Sequence, residues 1–208
     1  VACAFELEVK QGEQRLTAEN VLAYIEGTDK KDEIVVLTAH YDHIGVQDGV
    51  VYNGADDDGT GTVAMIEMAE AFILAKRAGH GPRRSVLVMP VSGEEKGLLG
   101  SRYYSEHPVF PLANTVADLN IDMIGRRDSA HATSPPYIYV IGSDRLSTGL
   151  HQANELANSL YTKLDLDYTY NAESDPNRFY YRSDHYNFAQ KEVPSMFYFS
   201  KIHKDYHQ

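Results

Sequence analysis

Short apolar runs alternate with amphipathic stretches along most of this chain, and the alternation predicts its elements. Strands are expected at Phe5–Val9, Val21–Glu26, Ile34–His40, Ser85–Val91, Ala117–Ile121, Tyr137–Ile141 and Ser195–Phe199. Helices are expected at Thr60–Ala78, Gly97–Ser105, Arg145–Leu160 and Ser183–Gln190. In the first helix Val63, Ile66, Ala69, Ile73 and Leu74 recur at helical spacing, and Gly79 closes it. Near-continuous runs such as IVVLTA and SVLVMPV suit strands covered on both faces. Strand–helix alternation therefore predicts an α/β layered domain with a largely parallel central sheet. Two irregular loops, residues 126–136 and 171–181, are long enough to serve a site.

Composition narrows the class. The chain has 208 residues, 43% of them hydrophobic, which suits one domain (1–208) with a sizeable core. It opens on VACAFELEV without an initiator Met and reads as a fragment truncated at both ends, so a missing signal peptide says nothing about export. No run approaches the roughly 18 apolar residues of a membrane span. The only cysteine, Cys3, cannot form an internal disulfide. A net charge of −11 disfavours nucleic acid or an anionic membrane as partner.

The candidate chemistry lies at predicted strand ends, where ligands of open α/β sheets bind. His40, Tyr41 and Asp42 follow one strand; Gly93, Glu94 and Glu95 follow another; Asp122 follows a third. The stretch NGADDDGTG places Asp56, Asp57 and Asp58 before the long helix, and RSDHYNF places Asp184 and His185 at a helix start. Taken singly, each motif has an ordinary explanation. The aspartates can cap a helix, adjacent glutamates can be a solvated pair, and His40 with His43 can be turn residues. Together they gather carboxylates at one sheet edge, where they repel one another unless cations intervene. Histidines with carboxylate oxygens and no thiolate suit zinc or a similar divalent ion, and two ions match the charge better than one. His40 and Asp42 share a strand face, so Asp42 is expected to accept from the imidazole nitrogen that does not bind metal. His43 is out of phase and is expected to be bland. Of Glu94 and Glu95, one is expected to coordinate and the other to take a proton from water.

In this order, HYD, GADDDGTG, GEEKGLLGS, NIDMIG and SDH resemble metallopeptidase family 28, from about Val21 to the C-terminus. That family comprises co-catalytic di-zinc aminopeptidases, with plasma glutamate carboxypeptidase and the glutaminyl cyclases among its relatives. The resemblance implies a three-layer fold with a mixed, mostly parallel sheet of about eight strands between helices. It implies two Zn2+ per chain: His40 and Asp122 on one, Glu95 and His185 on the other, Asp57 bridging. Glu94 becomes the general base and Asp42 the partner of His40. The implied substrate is a peptide with a free N-terminus. A carboxypeptidase-type peptidase, a glutaminyl cyclase or a non-catalytic scaffold are the competing readings, and the intact ligand set favours the peptidase. Bacterial relatives are often exported, so a periplasmic, anchored or extracellular location is implied by resemblance alone; oligomeric state is not. Two departures stand out. The chain stops at KIHKDYHQ, before a Pro and an Asp-Thr pair found in many relatives, which leaves His203 and His207 as surface histidines. Lys201 stands where a small residue is common and is expected to narrow or charge the pocket.

Overall fold

A computed structural model gives the architecture and describes Glu8 and residues 17–207. The expected strand Phe5–Val9 lies outside the described residues apart from Glu8. The main-sheet strands are β1 (Ala23–Ile25), β2 (Lys30–His40), β5 (Arg84–Val91), β6 (Thr115–Ile121), β7 (Tyr137–Ile141), β8 (Asp165–Asp167) and β9 (Ser195–Phe199). A small hairpin, β3 (Gly45–Gln47) and β4 (Val50–Tyr52), stands apart. The helices are α1 (Gly59–Arg77), α2 (Leu99–Glu106), α3 (Thr148–Ala157) and α4 (His185–Ala189).

Seven strands run in the order β1-β5-β2-β6-β9-β7-β8. The four central ones, β5, β2, β6 and β9, are mutually parallel, whereas β1–β5 and β7–β9 are antiparallel. This is the expected three-layer, mixed, mostly parallel sheet.

Alternation along β2 shows how the sheet is held. Ile34 and Val36 pack on one face with Leu87, Met89, Tyr104 of α2 and Phe188 of α4. Leu37 and Ala39 pack on the other with Val86, Val88 and Met65 of α1. Burying each such aliphatic side chain contributes roughly 1.5–3 kcal/mol, so both faces drive sheet formation. A third cluster is aromatic, with Tyr137, Tyr139, Phe179, Phe197 and Phe199 on the β7–β9 side.

One expectation fails in α1. Val63, Ile66, Ile73 and Leu74 are exposed, and the helix turns Met65, Met68, Ala69 and Phe72 to the core instead. The helix is apolar on more than one side, so spacing alone did not select the buried face.

Parallel register aligns the carboxyl ends of the central strands. His40 pairs with Val91, and Ile121 pairs with Tyr198. The residues just beyond, Glu94, Glu95, Asp122 and Ser200, therefore emerge along one edge.

Candidate metal centre and active site

His40 ends β2 fully buried. Its Nδ1 lies 2.8 Å from the backbone oxygen of Asp42 and 3.9 Å from the Asp42 carboxylate. This corrects the expected pairing: β2 stops at His40, the chain turns, and the carbonyl rather than the carboxylate comes nearest. Asp42 Oδ1 instead accepts from the Glu94 backbone N–H at 3.3 Å, tying two strand ends together. A carbonyl only accepts, so Nδ1 of His40 carries the proton and the Nε2 lone pair points away from it.

That lone pair faces acids. His40 Nε2 stands 3.0 Å from Asp57 Oδ1, 3.7 Å from Asp122 Oδ1 and 4.0 Å from Glu94 Oε2. It is buried without a hydrogen-bond partner. An electron pair aimed at carboxylates requires a cation between them, either a proton or a metal. With a proton there, burial would lower the imidazole pKa, but Asp122 and Asp57 outweigh burial and raise it far above normal.

Each acid arrives by its own local structure. Asp57 belongs to the turn before α1, where Asp58 is the N-cap and accepts from Gly61 N–H at 2.9 Å and Met123 N–H at 3.0 Å. Asp56 is taken up by Gly125 N–H at 2.7 Å, so of the three aspartates only Asp57 faces the cluster. Glu94 and Glu95 open a 3-10 turn after β5, entered through Gly93 at φ +76°, a left-handed conformation that glycine adopts without strain. Asp122 follows β6. Ser183 donates to its Oδ2 at 2.7 Å and itself accepts from Asn120 Nδ2 at 2.7 Å, which leaves Oδ1 for the cluster.

Two groups result: His40, Glu94 and Asp122, and His43, Asp57 and Glu95, each with ligand atoms within 4.8 Å of one another. Burial pushes Glu94 up to about 10, with Asp122 adding to the rise, and burial and then Asp57 push Glu95 up. Asp122 goes the other way: burial opposes its charge, but His40 and Ser183 hold it below the usual carboxylate range.

Not every expected residue joins. His185 opens α4, stacked on Phe197 at 4.9 Å and edge-on to Tyr180 at 5.3 Å, and belongs to neither group. Burial lowers its pKa to about 3, and both ring nitrogens are buried without a hydrogen-bond partner. Histidines expected to be bland lie against the acids. His43 is partly buried, its side chain 9% exposed, with Nδ1 2.8 Å from Glu95 Oε1. His207 Nε2 stands 3.3 Å from Asp57 Oδ2 and 3.5 Å from Glu95 Oε2. His203 is not a surface residue either, with its side chain 8% exposed and Nε2 2.9 Å from Asp56 Oδ2. Lys201 turns away from the site toward Asp128, 3.4 Å distant, and Tyr170. The signal available for His203 and His207 was their spacing, His-x-x-x-His, within one turn.

The donors fit zinc. They are imidazole nitrogens and carboxylate oxygens without thiolate, and several are buried and unpartnered. Ligands of one tetrahedral zinc, with bonds of about 2.0–2.2 Å, stand about 3.4 Å apart. The separations of His207 from Asp57 and Glu95 bracket that value, as do those of His40 from Asp57 and Asp122. His43 and Glu95, at 2.8 Å, are closer than two such ligands stand.

Known proteins share sequence and fold with this chain. A probable zinc metalloprotease of Pyrenophora tritici-repentis is 34% identical over 126 residues, covering 59% of this chain and 25% of that protein. The probable glutamate carboxypeptidase AMP1 of Arabidopsis thaliana is 32% identical over 130 residues, covering 62% and 17%. The zinc aminopeptidase BSAP of Bacillus subtilis superposes with a TM-score of 0.68 at 25% identity, covering 91% of this chain and 43% of that one. The chain thus spans less than half the length of each of these relatives. The sequence model of peptidase family M28 matches residues 20–208, and the chain belongs to that family.

Proposed function

We propose that this chain is the catalytic core of a zinc-dependent aminopeptidase that removes N-terminal residues from peptides. The observation that carries the reading is the His40 lone pair held among Asp57, Asp122 and Glu94. His40, Asp122 and Asp57 would hold one zinc ion; Asp57, Glu95 and His207 would hold the other. When bound, such ions acidify water and polarise a carbonyl.

The chain's own groups do the rest. Glu94 takes a proton from the attacking water and returns it to the leaving amine. Burial raises its pKa, so it can hold that proton, while adjacent cations keep it able to ionise. The Asp42 contact with its backbone fixes the turn that aims it. Beside Glu94 opens a narrow cavity of 40 Å³ with walls including Met123, Phe179, Phe197, Phe199 and Ile202. These walls receive a small, uncharged side chain and exclude water, while the surrounding acids attract a substrate α-ammonium.

A second reading, a carboxypeptidase-type peptidase, is favoured by Arg182. Its guanidinium lines the same cavity, 3.5 Å from the Tyr206 hydroxyl, and can pair with a substrate carboxylate.

Aminoacyl-arylamides and N-blocked peptides with a free carboxylate separate these readings. In either assay Glu94→Gln should lower turnover by about 100-fold or more while zinc content is unchanged. A variant near the wild-type rate removes Glu94 as the base.

A further inference from the structure

Adjacent aspartates each meet a histidine of one short turn. His207 faces Asp57 at 3.3 Å, and His203 faces Asp56 at 2.9 Å. Tyr206 N–H donates to His203 O at 3.1 Å and closes the turn between them. The first pair reaches a ligand group through Asp57; the second does not, since Asp56 is in neither group.

The second pair has the chemistry of a fixed joint. Asp205 N–H donates to His203 Nδ1 at 3.1 Å, so the ring proton sits on Nε2 and is donated to Asp56 Oδ2. Asp56 is already held on its other side. Gly125 N–H donates to Oδ1 at 2.7 Å, and the Thr60 hydroxyl lies 3.2 Å from the same atom. Both side chains of the joint are about nine-tenths buried, which strengthens the bond relative to one in water. The other ion pair of this turn, Arg126 with Asp205 at 2.6 Å, is exposed on both sides and holds little.

The segment needs holding. Lys201 at φ +84° and His207 at φ +58° are non-glycine residues in the left-handed region, a cost the surroundings have to offset.

We infer that His203 is a positioning residue: its bond to Asp56 docks the turn and sets His207 beside Asp57 and Glu95. The inference rests on the two-zinc reading above. It makes His203 responsible for one metal subsite and not the other, because His40 and Asp122 are placed by strands the turn does not carry.

The test is zinc titration of the metal-free protein against a competing chelator, comparing wild type, His203→Ala, His203→Gln and His207→Ala, with melting of each metal-free form as a control for folding. His203→Ala should weaken one binding event by about 10–100-fold. It should be the same event that His207→Ala weakens, and the other event should stay within about twofold. Gln carries an amide N–H that can reach Asp56 and should restore most of the loss. Equal weakening of both events, no weakening, or failure of Gln to rescue overturns the inference. If wild type itself shows fewer than two events, the two-zinc reading falls and the inference falls with it; two wild-type events with an unaltered His203→Ala sink the inference alone.

Discussion

Asp57 turns Oδ1 toward His40, 3.0 Å away, and Oδ2 toward His207, 3.3 Å away, so one carboxylate joins two imidazoles that come from opposite ends of the domain. Glu95 also meets two histidines, His43 at Oε1 and His207 at Oε2, but it does not reach His40; Asp57 is the acid that joins His40 to His207. Asp57→Ala should therefore empty both metal positions together, whereas loss of an unshared ligand should weaken one. Metal analysis after dialysis checks this; retention of two tightly held ions would contradict the bridging role.

On the reading proposed above, His207 takes the ligand part that the resemblance implied for His185. His207→Ala should lower zinc affinity with little change in the melting of the metal-free protein, since its side chain is one-third exposed. His185→Ala should do the reverse. It empties a site packed by Phe197 and Tyr180, costing on the order of 3 kcal/mol, and should keep zinc affinity near wild type once folded. Calorimetric melting with chelator-buffered zinc titration separates the two, and zinc loss confined to His185→Ala would restore the original assignment.

What could be read from the chain follows from how local each signal is. Strand ends are legible because β5, β2 and β6 are apolar runs that stop at a polar residue, and this pattern alone sets His40, Glu94, Glu95 and Asp122 at one edge. The roles of the three aspartates came partly from the ordered motifs and partly from helix capping, and Asp58 does cap α1. The histidine of SDH carries a weak signal because a polar residue at a helix start looks the same whether it faces a site or the core. The contacts of His207 were not legible because its partners are remote along the chain and only tertiary packing brings them together. The α1 face was missed because apolar residues surround the helix, and what decides burial there is the sheet beneath.

Away from the metal centre, Asp128 gives a pH prediction. Burial pushes its carboxyl up, but Tyr139 OH at 2.8 Å, His131 at 3.0 Å and Lys201 at 3.4 Å outweigh burial and hold its pKa below the usual range. Below about pH 4 the unfolded chain takes up this proton more readily than the folded one. The stabilisation is complete above that pH and is lost as pH falls toward the folded-state value. Asp128→Asn should lower stability at neutral pH by about 1–3 kcal/mol and flatten the acid limb below pH 4. Denaturant midpoints at several pH values check it; parallel curves for the variant and wild type would show that Asp128 does not carry the acid dependence.

Gly125→Ala tests the joint at Asp56 from the other side. A Cβ at Gly125 would come within 2.4 Å of Thr60 Cγ2 and 2.8 Å of Asp56 Oδ1, the oxygen that its own N–H now donates to. Crowding of this kind costs about 1–3 kcal/mol and displaces the side chains that can move. Here these are Asp56 and Thr60, so Asp56 should shift relative to His203 and its neighbour Asp57. Gly79→Ala is the control. It lies at positive φ, +82°, unlike Gly125, but no atom stands within 4 Å of the added carbon, so it pays only a backbone penalty of about 1 kcal/mol. Both variants should melt earlier, but only Gly125→Ala should bind zinc more weakly. If the two lose stability alike and bind zinc alike, contact with Asp56 does not reach the metal centre.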